Sequence, residues 1–270
     1  VIDLGIEPIG TTLPPTTLHV DEIDLLVHLL DVDVLPVVLD AGPRFDSLPA
    51  RDAVFRRAHD RLTAAGLVDG IAVHPDLARQ VRTLARPRAE IAVRKFVGGT
   101  VHRACLALDQ DPADGAVLAL RSGDAFTVQR PGRDLAGPVV HALGTAPALP
   151  FGVVNCPTAD LGAALDRITD PQKAAEQLIA IGVPAAEAAV VGPAFAACQS
   201  FTEIVGLVGI VGEGGDPEVA RGPVTVFDTA AGRVVGTTSV ATDGVRWTSL
   251  SPGTPGRLRQ ALEGLLAQLD

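Results

Sequence analysis

The chain has 270 residues, 47% of them hydrophobic, a net charge of −10 and only 3% aromatics, with Tyr and Met absent. This composition supports a large core of Ala, Val and Leu, as one big domain or two intimate halves. An acidic surface argues against nucleic acid or anionic lipid as principal partner, and no apolar run approaches the roughly 18 residues of a membrane span.

The first fifteen residues, with Pro14 and Pro15, read as a loosely tied arm. Thr17–Val20 suits a short strand, and Asp21 can cap a helix with Ile23, Leu26, Val27 and Leu30 on one face. Leu35–Asp40 (LPVVLD) reads as a strand. Ser47 starts a helix that ends at Gly66, with Phe55, Ala58, Leu62 and Ala65 inward. A brief strand, Ile71–Val73, leads to a helix opened by His74-Pro75, whose core face is Leu77, Val81 and Leu84. Residues 89–97 alternate as a strand, Gly98-Gly99 turns, and 100–108 returns. Strands at 116–120 and 124–129 follow, then Pro131-Gly132, a capping Asp134 and a short helix with Leu135, Val139, Ala142 and Leu143 inward.

Pro147 and Pro150 mark the plausible seam. Beyond it lie a strand at 151–156, helices at Thr158–Ile168, Pro171–Ile181 and Pro184–Ala197, and a long strand at 200–212. The last fifth gives strands at 224–227, 234–240 and 245–250, the second hairpin turning on Asp243-Gly244. After Pro252-Gly253-Thr254-Pro255 comes a helix with Leu258, Ala261, Leu262, Leu265, Leu266 and Leu269 on one face. Strands, a Pro-Gly break and an amphipathic helix therefore occur twice, at 116–144 and 225–270. The expected fold is α+β, one domain over 1–270, with quasi-twofold halves at about 16–145 and 150–270.

Candidate chemistry is sparse. Asp31 and Asp33 are too few for a hard-cation site and suit a turn. Gly209, Gly212, Gly214 and Gly215 are followed by Asp216-Pro217-Glu218, which would repel phosphate, so a hairpin loop is the better reading. None of the six histidines has metal-ligand spacing. Cys156, with His141, is the least implausible nucleophile, although small buried cysteines are common core residues. Arg79, Arg82, Arg86, Arg88 and Arg94 form a strip that could meet an acidic partner and more simply makes a solvated face. Cys105, Cys156 and Cys198, an odd and scattered set, read as reduced thiols of a cytoplasmic protein, and no charged-then-apolar leader opens the chain.

One set of segments is more specific: SFTEIV (200–205), FDTAAGRVV (227–235), Asp243-Gly244-x-x-Trp247, SPGTP (251–255) and the closing helix, with LPVVL and LTAAGLV (62–68) matching more loosely. In these the chain resembles the EspG family, cytosolic chaperones of type VII (ESX) secretion. The resemblance implies two related halves around a central, mainly antiparallel sheet flanked by helical bundles. It also implies no enzymatic activity, no cofactor, no metal and no catalytic residues. The implied partner is a PE–PPE heterodimer, gripped at the exposed apolar tip of the PPE helical bundle and delivered to the ESX secretion machinery. The gripping surface carries over to the loop Val97-Gly98-Gly99-Thr100 and to Phe201 and Glu203. Two alternatives stand beside it: an enzyme centred on Cys156 and His141, and the same fold holding a non-PPE protein.

Overall fold

The computed structural model describes residues 12–42, 44–113, 115–168, 170–208, 218–219 and 222–269. At the centre of one sheet, β4 (Ala89–Val97) and β9 (Cys198–Val208) lie antiparallel, paired from Ala89↔Val208 to Val97↔Ser200. From β4 the chain steps outward through β5 (Thr100–Leu108), β6 (Ala116–Ser122) and β7 (Ala125–Gln129) to an edge strand, β1 (Thr16–His19). From β9 it steps the other way through β11 (Val224–Thr229), β12 (Gly232–Val240) and β13 (Arg246–Pro252) to the opposite edge, β8 (Val154–Pro157). A short β10 (Glu218–Val219) pairs the end of β9, and every ladder in the sheet is antiparallel.

The two halves repeat one order of elements. Each begins with its edge strand, inserts three helices, lays down its central strand, winds outward and closes with a helix packed under the sheet. The first half uses α1 (Val20–Leu29), α2 (Leu48–Ala64), α3 (Pro75–Ala85) and closing α4 (Ala136–Ala142), with a small β2–β3 hairpin (Val68–Asp69, Ala72–Val73) before α3. The second uses α5 (Thr158–Leu165), α6 (Pro171–Ala180), α7 (Ala185–Ala196) and closing α8 (Pro255–Leu266). This is the α+β, quasi-twofold arrangement the sequence led us to expect.

Strand alternation sorts the side chains into three cores. Cys105, Ala107, Val117, Ala119 and Phe126 face α1–α3. Phe227, Val234 and Leu250 face α5–α7 on the same side of the sheet. Ile91, Val93, Leu106, Leu118, Ile204, Val226 and Val235 point the other way, onto α4 and α8, which pack against each other beneath the centre. Each three-helix bundle thus covers the outer strands of its own half, and the middle of that face stays open.

Some local expectations change. Leu35–Asp40 is not a strand: Val37–Leu39 is a single 3-10 turn between Pro36 and Asp40, which adopts a left-handed φ of 53°. This segment lies across the face of β4–β6, away from any strand edge, so its backbone uses local bonds such as Asp40 N–H to Val37 O (3.0 Å). Arg121 donates to the carbonyls of Leu39 and Asp40. Asp21 is not the cap of α1. His19 is, its Nδ1 accepting from Asp21 N–H while Glu22 accepts from the His19 N–H at 2.7 Å. On α2, capped by Ser47, Ala58 and Leu62 are buried, Phe55 is half-buried and Ala65 is exposed past the last turn. The strand expected at 151–156 starts only at Val154. The glycine patch at 209–217 lies outside the described residues.

A buried polar cluster joins the halves. Arg233, 4% exposed, pairs with Asp228 at 2.5 and 3.0 Å and donates to the carbonyls of Gly144 (3.0 Å) and Leu143 (3.2 Å) at the end of α4. Its backbone N–H reaches Pro147 O at 2.6 Å, and its carbonyl accepts from Leu149 and Gly253. Lys95, on β4, donates to Leu143 O at 2.8 Å and lies 3.5 Å from Asp228. The packing leaves no room at two neighbouring glycines: a Cβ on Gly232 would sit 2.6 Å from Leu149 N, and one on Gly253 would sit 2.2 Å from Arg233 Cγ. Burial works to raise the Asp228 carboxyl, yet hydrogen bonding and charge from Arg233, with Lys95 and Ser200 adding to them, hold it below its ordinary 3.8.

Arg233→Ala should therefore cost about 3–5 kcal/mol in urea unfolding, because it breaks a largely enclosed ion pair and leaves the half-buried Asp228 only Lys95 and Ser200. A carboxyl depressed in the fold stabilises above its unfolded pKa and loses that contribution as pH falls through the folded value. The stability gap between wild type and Asp228→Asn should accordingly hold above the ordinary carboxylate range and shrink steadily as the pH falls below 3.8.

Candidate functional site

On the open face, the central strands present their side chains in rungs. In the first rung Phe96, Phe201 and Phe227 sit directly opposite one another on β4, β9 and β11. Phe96 stacks on Phe201 (centroids 6.2 Å apart, planes at 19°), Phe201 meets Phe227 at 5.1 Å, and Phe227 meets Phe195 of α7 edge-on at 4.8 Å. Four of the chain's eight phenylalanines thus form one row across the sheet, ending against the second bundle. Phe96 remains 38% exposed.

Two residues along, Arg94 and Glu203 face each other as an ion pair of 2.7 Å. Ala92 and Val205 make the next rung, Glu90 and Leu207 the last. Along these rungs runs a cleft of about 450 Å³, walled on its far side by residues 34–40. Val34 and Val37 stand out there, Val37 at 90% exposure, and Arg103 of β5 pairs with Asp40 at 2.9 Å to pin the wall to the sheet. The site is an apolar trough crossed by charge pairs, a profile that protein-binding surfaces share.

The structure brings Phe201 and Glu203 together on this face. The loop that closes β4–β5 stands at the aromatic end, with Gly98 at φ +53° and Gly99 at φ +82°, as a two-residue type I′ turn requires. Thr100 is exposed beside it. Val97 is different: one residue past Phe96, its side chain points to the opposite face, into a 560 Å³ hollow beside α4 with Val93, Lys95 and Leu143. Our sequence reading did not find Phe96, Phe227, Phe195 or the wall at 34–40, and it placed Arg94 only in a solvated arginine strip. A signal existed in the mirrored spacing of Arg94-x-Phe96 and Phe201-x-Glu203, which puts like against like and charge against countercharge when the two segments run antiparallel.

A family model described as the EspG family matches residues 19–264. The chain belongs to the EspG family. The ESX-3 secretion-associated protein EspG3 of Mycobacterium tuberculosis is 26% identical over 93% of this chain and 90% of its own length. EspG3 of Mycolicibacterium smegmatis is 27% identical over 93% of this chain and 86% of its own. Among solved structures, the M. tuberculosis type VII secretion chaperone EspG5, in complex with a PE25–PPE41 dimer, aligns with a TM-score of 0.75 over 95% of this chain and 97% of that one. At 17% identity that likeness is one of fold. The segments that carried the family resemblance divide between two tasks. FDTAAGRVV and SPGTP hold Arg233 with Gly232 and Gly253, whereas SFTEIV supplies the aromatic and charged rungs.

The other candidates resolve into structure. Cys156 lies fully buried in the core under α5–α7, its thiol 4.0 Å from Thr248 O, and burial, with Asp160 nearby, pushes it up to about 11. His141 is exposed in the last turn of α4, on the other side of the sheet, so the two cannot share a site. The arginine strip breaks up: Arg94 pairs with Glu203, Arg88 donates to Leu269 O, and Arg86 lies 3.6 Å from Asp33 on the surface. Asp31 takes a left-handed φ of 51° in its turn. Among the described residues, no cluster of three or more His, Cys, Asp or Glu could hold a metal, and no helix is long and apolar enough to cross a membrane.

Thiol chemistry separates these environments. Under native conditions a maleimide should label Cys198, which is exposed, while Cys105 and Cys156 should react only in denaturant. Rapid native labelling at Cys156, read by peptide mass, would reopen it as a nucleophile.

Proposed function

We propose that this chain is a non-enzymatic, cytoplasmic chaperone of type VII (ESX) secretion. It grips the exposed apolar helical tip of the PPE protein in a PE–PPE heterodimer, keeps the pair soluble and passes it transiently to the ESX machinery. The observation that carries this is the open aromatic row and cleft on a member of the EspG family. A bare apolar tip invites self-association, and a partner that covers it removes the patch. About 1,600 Å² of total buried surface is enough for specific yet releasable binding.

The contact surface we propose combines the loop Val97-Gly98-Gly99-Thr100 with Phe201 and Glu203, extended by Phe96 and Phe227. The turn contributes main chain and Thr100, since the Val97 side chain faces away. The stacked rings supply apolar anchors already held in place by one another, and the Arg94–Glu203 pair at 2.7 Å supplies register. We also read the chain as one folding unit, because the β4–β9 ladder, the α4–α8 contact and Arg233 all tie residues 16–145 to 150–270.

Co-expression with a PE–PPE pair should give a 1:1:1 complex on gel filtration, and Phe201→Ala should weaken it at least tenfold, roughly 1.4 kcal/mol or more. Failure with every pair encoded near its gene, together with a reproducible non-PPE protein in pull-downs from the host, would overturn the client assignment. Calorimetry should show a single cooperative transition. Two separable transitions would refute the one-unit reading.

A further inference from the structure

Glu90 sits on the floor of the cleft, and nothing in the client reading so far uses it. It is 8% exposed, with Ala92, Val205 and Leu207 around it on the strands. Its hydrogen bond comes from the Cys105 thiol at 3.5 Å, a weak donor on the neighbouring β5 that is itself completely buried. Desolvation pushes the Glu90 carboxyl up, with the Cys105 bond offsetting only part of this, and drives the thiol well above its ordinary range, so Cys105 stays protonated.

The remaining charges lining the cleft are already matched. Arg94 holds Glu203 at 2.7 Å, and Arg103 holds Asp40 at 2.9 Å. Arg121 adds a second cation 3.8 Å from Asp40 but is spent on Asp40 and on the Leu39 and Asp40 carbonyls, so among the carboxylates lining the cleft the one without a cation is Glu90. In the free chain, water can reach the carboxylate through the open mouth of the cleft. A partner that seats there excludes that water, and a carboxylate enclosed without a donor is strongly disfavoured. A wholly apolar occupant would have to force a proton onto Glu90. An occupant with one cation on an apolar surface would satisfy the site as it stands.

We propose that Glu90 is the specificity group of the cleft, accepting a charge-assisted hydrogen bond from a single Lys or Arg on the otherwise apolar helical tip held there. This rests on the client-binding reading above. The stem of such a side chain packs along Leu35 and Val205 while its head reaches the floor. Arg94 and Arg103, each committed to its own carboxylate, exclude a second cation, so a tip with several basic residues is selected against.

The test uses a PE–PPE pair that forms the complex with the wild-type chain, titrated calorimetrically at pH 7.5 against wild type and Glu90→Gln. The Gln variant keeps the shape and removes a desolvated charge, so it should melt at or above the wild-type temperature. Its affinity should nevertheless fall at least tenfold. Replacing the basic residues of the PPE tip one at a time by Gln, which leaves this chain untouched, should identify one whose loss weakens wild type but not Glu90→Gln. Equal or tighter binding by Glu90→Gln, with wild-type affinity rising as the pH is lowered to 5.5, would overturn the proposal and mark an apolar occupant that protonates Glu90. If no PE–PPE pair binds wild type, the client reading itself fails and takes this role with it, an outcome distinct from wild type and variant binding equally well.

Discussion

A guanidinium at 4% exposure is tolerable only with its charge balanced and its donors satisfied, and Arg233 achieves both by drawing on pieces far apart in sequence. Asp228, five residues back, balances the charge, while the carbonyls of Leu143 and Gly144 come from the end of α4, roughly ninety residues away in the other half. Its own backbone bonds the linker at Pro147 and Leu149 and the end of β13 at Gly253. The seam between the halves is thus fastened by main chain, which cannot move without unmaking a buried ion pair. Lys95 brings β4 into the same cluster through Leu143 O, so the central ladder and the seam share a fixed frame.

That frame decides where the open face lies. Each half inserts its three helices between its edge strand and its central strand, so each bundle settles over the strands outside the centre. With α4 and α8 sealing the centre from the other side, β4 and β9 have one face that no helix covers, bordered by residues 34–40. A sheet interior is normally covered on both faces or polar on the free one. Here the free face carries three phenylalanines in one rung and aliphatic side chains in another. The exposure follows from the repeated order of elements: two halves joined at their central strands leave a strip that the helices of neither cover.

Much of this was legible in the sequence, for local reasons. The β4–β5 hairpin was readable from its alternation and from Gly98-Gly99, and α2, α3 and α8 from Ser47, His74-Pro75 and Thr254-Pro255 at their starts. What escaped depended on distant partners. Residues 35–40 look like a strand until the sheet beneath them is known, because a period of two cannot distinguish a paired strand from a segment draped over a face. His19 displaced Asp21 as cap because β1 runs to His19 and helical geometry starts at the next residue. In the site, Phe201 and Glu203 were named from family resemblance, yet their neighbours Phe96 and Arg94 follow only from the Phe96↔Phe201 register. The same register puts the Val97 side chain on the opposite face by parity alone.

The order of the rungs has a physical logic of its own. Aromatic rings in the first rung, next to the cleft, are stiff and mutually packed, so they offer apolar area at little conformational cost. The Arg94–Glu203 pair follows, half-open to solvent, where an ion pair adds little energy but penalises a misaligned partner. Deepest comes Glu90, where water is already thin and one unmatched charge has most leverage. On the proposed reading, affinity is concentrated where the surface is permissive and discrimination where it is enclosed. Such a division would let one trough hold a hydrophobic tip reversibly and still refuse one of the wrong charge.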